Sequence, residues 1–222
     1  TLDKGWKVAA EHWDMVLRGA SLGMTTTHAL PTTPLRGALG LARKALSEDI
    51  VPTLTSELPG GGKVRKPQTV PNPDAIFMPA CVGTMFGTEH ACGTGVGGAV
   101  RELAAYAGLR LSTPAGVQEL CCGTPWKSKG LAKGYEVMKD KLTSWIVQHT
   151  HHGRIPLVCD NVSCTEGIIV ALKNAGVEGI TVMDATEWVA TYVAPVLPPL
   201  AKARKAAVHP TCSSTHLGVN DA

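Results

Sequence analysis

The chain has 222 residues, 44% of them hydrophobic and 18% charged, with a net charge of +3; it is long enough to bury a full core and carry an appendage. So small a charge, with no long Lys/Arg run, argues against a nucleic-acid-binding protein. No stretch approaches the ~18 uninterrupted apolar residues of a membrane-spanning helix, and without a charged-then-apolar leader a cytoplasmic location is expected, peripheral membrane attachment through a partner being left open.

The first 20 residues read as helical, because Trp6, Ala9, Trp13, Val16 and Leu17 recur at helical spacing while Lys4, Glu11 and Asp14 fall on the other side. A second helix follows Pro34 through LRGALGLARKALS, with proline suited to its first turn. The next stretch, LPGGGKVRKPQTVPNP, is rich in Gly, Pro and Lys and reads as an exposed connector, with a domain boundary near residue 70. Beyond it, apolar runs alternate with helical stripes. AIFMPAC (75–81) predicts a buried strand, GGAVRELAAYAG a helix, and RLSTPA a weaker strand. A long helix is expected from about residue 130, with Tyr135, Met138, Leu142 and Ile146 as its buried stripe. IPLVCD (155–160) predicts the next strand, CTEGIIVALKNAG a helix closed by Gly176, and GITVMDA (179–185) the last strand.

This alternation implies an α/β fold, a mostly parallel sheet flanked by helices with an N-terminal helical extension. The expected division is 1–69 for the extension and linker, 70–205 for a first cysteine-rich domain, and 206–222 for the start of a second. The second copy is read from a repeat. FMPACVGTMFG and VHPTCSSTHLG share Pro-x-Cys with Gly six residues after the cysteine, at Pro79/Cys81/Gly87 and Pro210/Cys212/Gly218. With no initiator Met and an abrupt HLGVNDA at the end, the chain is expected to be a fragment of a longer one.

All seven cysteines lie after residue 80, at 81, 92, 121, 122, 159, 164 and 212. An odd count in a chain of this length argues against a secreted disulfide scaffold and for metal ligands or redox groups. Cys81 falls at the end of the first predicted strand, Cys121 and Cys122 between the second strand and the long helix, Cys159 near the end of the third strand, and Cys164 at the start of the helix after it. Open parallel sheets gather ligands at the carboxyl ends of their strands, where helix N-termini favour thiolates and anionic clusters. Three distant segments are therefore expected to deliver Cys81, Cys121, Cys122, Cys159 and Cys164 to one sheet edge as metal ligands. Cys92 and Cys159 read equally well as small buried hydrophobes.

Three other signals are weaker. GTGVGG (93–98) satisfies G-x-G-x-x-G but stands about a dozen residues beyond its strand, so it reads as a helix entry and not a dinucleotide site. HTHH (149–152) reads as a solvated helix end, where partly charged histidine suits the dipole. Lys127, Lys129 and Lys133 read as solvent-facing, although their charge would favour thiolates in the adjacent pair.

The succession Cys81, 39 residues, Cys121-Cys122-Gly123, 35 residues, Cys159, four residues, Cys164 resembles the cysteine-rich CCG domain. That domain occurs in heterodisulfide reductase B subunits, anaerobic glycerol-3-phosphate dehydrogenase C subunits and lactate-utilisation proteins. The wording CCGTPWKSKG…CDNVSCTEGI…HPTCSSTHLG is similar to the C-terminal iron–sulfur part of FAD-linked D-lactate (D-2-hydroxyacid) dehydrogenases, over about residues 70–222. The resemblance implies a 4Fe–4S-type cluster on Cys81, Cys121, Cys122 and Cys164, with Cys212 as the first ligand of a second unit. It further implies an oxidoreductase whose FAD lies elsewhere in a longer chain. This segment would relay electrons from flavin and ferredoxin-like domains to a quinone, cytochrome or other carrier, without substrate chemistry of its own. The family closes its motif with C-x-x-C, whereas here Asn161 stands three residues before Cys164 and Cys159 five before. A ligand role for Cys159 and a site of four cysteines both stay open. The same thiols suit a structural zinc site. A disulfide between the neighbours Cys121 and Cys122 would close a strained ring, which ranks thiol–disulfide chemistry last.

Overall fold

The computed structural model describes residues 2–29, 37, 39–41, 43–44, 59–88, 94–198, 205, 207 and 209–220. Cys92 and Gly93 lie outside the described residues, as does most of the helix expected after Pro34, of which residues 37, 39–41 and 43–44 are described and helical. The chain opens with two helices where the sequence predicts one: α1 (Leu2–Glu11) and α2 (Trp13–Ala29) are separated at His12. Trp13 and Leu17 are buried as expected, but Ala10 takes the core position in place of Ala9, and Val16 is exposed.

Four strands form one sheet, β1 (Ala75–Met78), β2 (Leu111–Ser112), β3 (Leu157–Cys159) and β4 (Val182–Asp184), in the order β2-β1-β3-β4 with every pair parallel. The fold is α/β, as the alternation predicts. Helix α3 (Val82–Met85) and helix α4 (Gly95–Tyr106) separate β1 from β2, and α5 (Thr124–Lys127) and α6 (Ala132–His149) follow β2. Helix α7 (Val162–Asn174) joins β3 to β4, then α8 (Ala185–Trp188) and, near the end, α9 (Cys212–Leu217) complete the described helices. No helix among the described residues is long and apolar enough to cross a membrane.

The strands are apolar on both faces because helices cover both, so alternation is absent from the sequence and short apolar runs stand in its place. Ala75, Phe77, Val158 and Met183 pack with Val100 and Ala104 of α4 and Trp188 of α8. By the pleat, Ile76, Met78, Leu157 and Cys159 point to the opposite face, and all four are at most 2% exposed. Met138, Leu142 and Ile146 of α6 are fully buried; Tyr135 is half-buried at the same stripe.

Sheet order matters for function. From β1 the chain steps first to β2 on one side, then returns to place β3 on the other. That reversal is the topological switch point of an open α/β sheet, and the crevice it opens lies at the carboxyl ends of β1 and β3.

The described residues fall into two compact units. One comprises residues 1–14, 65–81 and 96–222 and contains the sheet; the other comprises 15–64 and 82–95. In the first, Lys141 Nζ donates to the carbonyls of Ala10 (3.2 Å) and Glu11 (2.7 Å), a cation on the C-terminal turn of α1. In the second, Gly60–Gly62 lies against α2 and α3. Ser21 Oγ donates to the Gly62 carbonyl (2.7 Å), and a Cβ on Gly61 would stand 1.9 Å from the Ser21 carbonyl oxygen. The stretch predicted as an exposed connector is exposed at Lys63, over 66–69 and at Pro71 and Asn72, and half-buried or buried at its other described residues. Its glycines are close-packed, and Arg65 is buried.

Candidate metal centre

Five cysteines meet at the switch point. Cys81 follows β1 and precedes α3, Cys121 and Cys122 lie between β2 and α5, Cys159 is the last residue of β3, and Cys164 lies in the first turn of α7. All five are free; Cys164 is half-buried and the other four are buried. One pair of sulfurs touches, and the others influence one another in succession. Cys81 Sγ is 3.5 Å from Cys121 Sγ, Cys121 interacts with Cys122, Cys122 with Cys164, and Cys164 with Cys159.

The Cys-Cys-Gly stretch is held by a backbone device. Gly123 has φ 84, a left-handed conformation that L side chains rarely adopt, and it turns the chain into α5. A Cβ there would also stand 2.9 Å from the Tyr135 ring. Helix α7 approaches from the other side through Gly167, where a Cβ would meet Thr124 Oγ1 at 2.6 Å and Cys122 Cβ at 3.1 Å. Asn161, three residues before Cys164, caps α7: its Oδ1 accepts from the N–H groups of Ser163 (3.1 Å) and Cys164 (3.3 Å). Cys159, two residues earlier, directs its S–H toward the Asn161 carbonyl at 3.9 Å.

Protons are distributed unevenly along the sulfur chain. Cys121 and Cys164 bring the thiol of Cys122 down to about 3, with Thr124 Oγ1, 3.2 Å from the sulfur, assisting. Cys81 lies below the ordinary thiol range, first through its hydrogen bond with Cys121 and further because Arg65 carries a positive charge nearby. Cys121 and Cys164 are pushed up, first by hydrogen bonding to neighbouring sulfurs and then by loss of water around the thiol. Ionisation is therefore easiest at Cys122, Cys81 is shifted in the same direction, and Cys121 and Cys164 hold their protons more firmly.

Two residues that the sequence reading passed over complete the surroundings. Arg65, in the connector, is 8% exposed and forks into three backbone carbonyls: Pro79 (2.9 Å), Leu120 (2.7 Å) and Gln118 (3.4 Å). Trp13 is 3% exposed, with its ring 4.7 Å from that of Trp126. Its N–H has no acceptor within hydrogen-bond range, yet lies close enough to Cys81 to help lower that thiol. Arg65 stood in a Lys-rich run that reads as solvated; the one available hint was an arginine just before an extended stretch feeding β1. Lys127, Lys129 and Lys133 do face solvent, Lys133 beside Asp3 at 3.8 Å, so the positive charge at the thiols comes from Arg65. Asp160 balances part of it: its Oδ1 accepts from the Ala80 N–H (2.6 Å), and burial pushes its carboxyl up.

The remaining signals are local. His149 sits edge-on to Trp145 at 4.9 Å, and His151 and His152 form a left-handed turn after α6. In GTGVGG, Gly95 (φ 72) begins α4, while Gly97 lets Asp160 come close, a Cβ there standing 2.8 Å from its Oδ2. Cys212 is exposed at the start of α9, which Glu166 of α7 holds through Ser213 (2.5 Å) and His216 (3.4 Å).

Whether these thiols fit a metal is a question of donor chemistry and spacing. Among the described residues, no group of three or more His, Cys, Asp or Glu side chains stands as a preformed cage. The sulfurs interact with each other, and their protons and rotamers must give way to an ion. The rearrangement is small for one metal: thiolates about 2.3 Å from a tetrahedral zinc lie ~3.8 Å apart, against 3.5 Å for Cys81 and Cys121. A four-iron cluster puts each thiolate on a separate iron and asks for wider splaying. The donor set suits both. Compared with family models, curated proteins and solved structures, the chain finds no match.

Proposed function

We propose that the thiols at the switch point bind an iron–sulfur cluster through Cys81, Cys121, Cys122 and Cys164, and that the chain serves as an electron relay within a flavin-dependent D-2-hydroxyacid dehydrogenase system. The observation that carries the reading is the convergence of these sulfurs, from three separate segments, at the crevice where open α/β sheets take ligands. The CCG wording directs it to iron–sulfur chemistry, and FAD and substrate belong to other domains of a longer chain. Cys159 adjoins Cys164 and is positioned to replace or assist it.

Once bound, the cluster would accept and release single electrons at a potential set by charge, hydrogen bonds to sulfur and exposure. The chain's own residues supply the rest. Cys122 meets incoming iron as a thiolate, Cys81 is the next to ionise, Cys121 and Cys164 release their protons on binding, and the buried setting of Cys81, Cys121 and Cys122 restricts water.

Zinc is the second reading, favoured by one observation: the 3.5 Å spacing of Cys81 and Cys121 is close to the edge of a single tetrahedral ion. Anaerobic reconstitution with iron and sulfide, followed by absorbance, electron paramagnetic resonance and metal analysis, separates the two. The expected result is a brown chromophore with ~4 irons per chain, lost in Cys121→Ser/Cys122→Ser. One tight zinc that depends on the same pair, with no iron bound, overturns the relay. Air is excluded because dioxygen can take the two thiol hydrogens and electrons from the Cys81–Cys121 contact and join the sulfurs.

A further inference from the structure

Arg65 is a buried cation in the sheet-bearing unit. Its three hydrogen bonds go to neutral carbonyls, and its Nε–H has no partner. A guanidinium in that position loses water without gaining a direct carboxylate, a net cost unless an anion is meant to stand beside it. Its carbonyl partners are informative. Pro79 lies two residues before Cys81, and Leu120 immediately precedes Cys121, so one planar fork ties together the two loops whose sulfurs meet at 3.5 Å. Trp13 presents a second orphan, a buried indole N–H without a partner, while its ring is fixed against Trp126 just beyond the Cys-Cys-Gly turn. Two unpartnered N–H donors in one neighbourhood are more than packing requires.

We infer that Arg65 and Trp13 are a built-in outer shell for the Cys81–Cys121 side of the site, Arg65 as the fixed countercharge of the metal–thiolate centre and Trp13 as an N–H donor to the Cys81 sulfur. The charges call for it. Four thiolates around Zn²⁺, or around a 4Fe–4S core of charge 2+, leave a net charge of −2 in a buried place, and one guanidinium halves it. Arginine suits the role better than lysine because its fork orients both loops while the charge stays permanent. Hydrogen bonds and positive charge at ligating sulfur also favour the more reduced, more negative state, which raises the reduction potential.

The inference rests on the thiols being a metal or cluster site, and the test keeps the two apart. Wild type, Arg65→Met, Arg65→Lys and Trp13→Phe are titrated anaerobically with Zn²⁺ against a chromophoric chelator, their iron–sulfur forms are poised for redox titration, and circular dichroism checks folding. Arg65→Met and Trp13→Phe are expected to bind Zn²⁺ about 10–100-fold more weakly, with Arg65→Lys recovering part of the loss. The iron form of Arg65→Met is expected to shift its oxidised-to-reduced ratio at least tenfold toward oxidised at fixed ambient potential, ~59 mV for one electron. Folded Arg65→Met with wild-type affinity and potential overturns the inference. If that variant does not fold, Trp13→Phe decides, since it keeps the aromatic packing and removes only the N–H; unchanged affinity and potential there overturn it equally. Wild type that binds neither zinc nor iron through Cys121 and Cys122 defeats the functional reading itself.

Discussion

At the scale of single residues, the site depends on backbone as much as on sulfur. Gly123 is required twice, once for its left-handed φ of 84 and once for the Tyr135 ring, which a Cβ would approach to 2.9 Å. Gly123→Ala is expected to cost ~1–2 kcal/mol for the backbone conformation, and more for displacing Tyr135, whose hydroxyl accepts from Asn174 Nδ2 at 3.0 Å. Urea unfolding at neutral pH measures the loss; a midpoint equal to wild type would mean that the turn relaxes without strain. Asn161 shows the same economy from the other side. Three residues before Cys164, it caps α7 so that the Cys164 N–H is satisfied while the Cys164 sulfur faces Cys122.

At the scale of elements, the sheet edge that carries the cysteines is registered by polar contacts at its other end. Asp74, just before β1, accepts from the Arg110 backbone N–H (2.8 Å) and from its Nε (3.3 Å), and Arg110 just precedes β2. These bonds hold the Asp74 carboxyl below its ordinary range, the backbone N–H contributing most. The sign follows directly. A carboxyl whose folded pKa is depressed stabilises the fold above its unfolded pKa of about 4, and that contribution disappears as acid protonates it in the folded state. Asp74→Asn should therefore narrow the difference in urea midpoint between pH 7 and pH 3, by a modest amount because both side chains are largely solvated. An unchanged difference would show that Arg110 does not hold the carboxylate in solution.

For the molecule as a whole, a bound metal would fasten the loop after β1, the loop after β2 and the start of α7 directly to one another, adding to the Arg65 fork that links the first two. Whatever binds the folded state alone stabilises it by linkage, ~2.7 kcal/mol at a free concentration 100 times Kd. In a domain of this size that corresponds to roughly 5–11 °C in Tm. Thermal unfolding of the loaded chain should show this gain, lose it on chelation, and lack it in Cys121→Ser/Cys122→Ser. A metal-dependent rise that survives in the double variant would place the metal elsewhere.

Much of this architecture is written locally. The strands at 75–78, 157–159 and 182–184 are legible as apolar runs because a sheet covered on both faces needs apolar residues at every position, and α6 is legible through Met138, Leu142 and Ile146 because one stripe of it is buried. The sequence by itself also determined which cysteines sit at strand ends, since placement along a strand is a local matter. Tertiary structure alone decided which sulfurs touch, because the order β2-β1-β3-β4 depends on long-range pairing that no window of sequence contains. It alone decided Arg65 and Trp13 as well. A charged residue in a Gly- and Lys-rich run has no local signal of burial, and a tryptophan on a helical stripe looks the same whether it faces aliphatic core or a sulfur. Both are defined by what the folded chain brings against them, 16 and 68 residues away at Cys81.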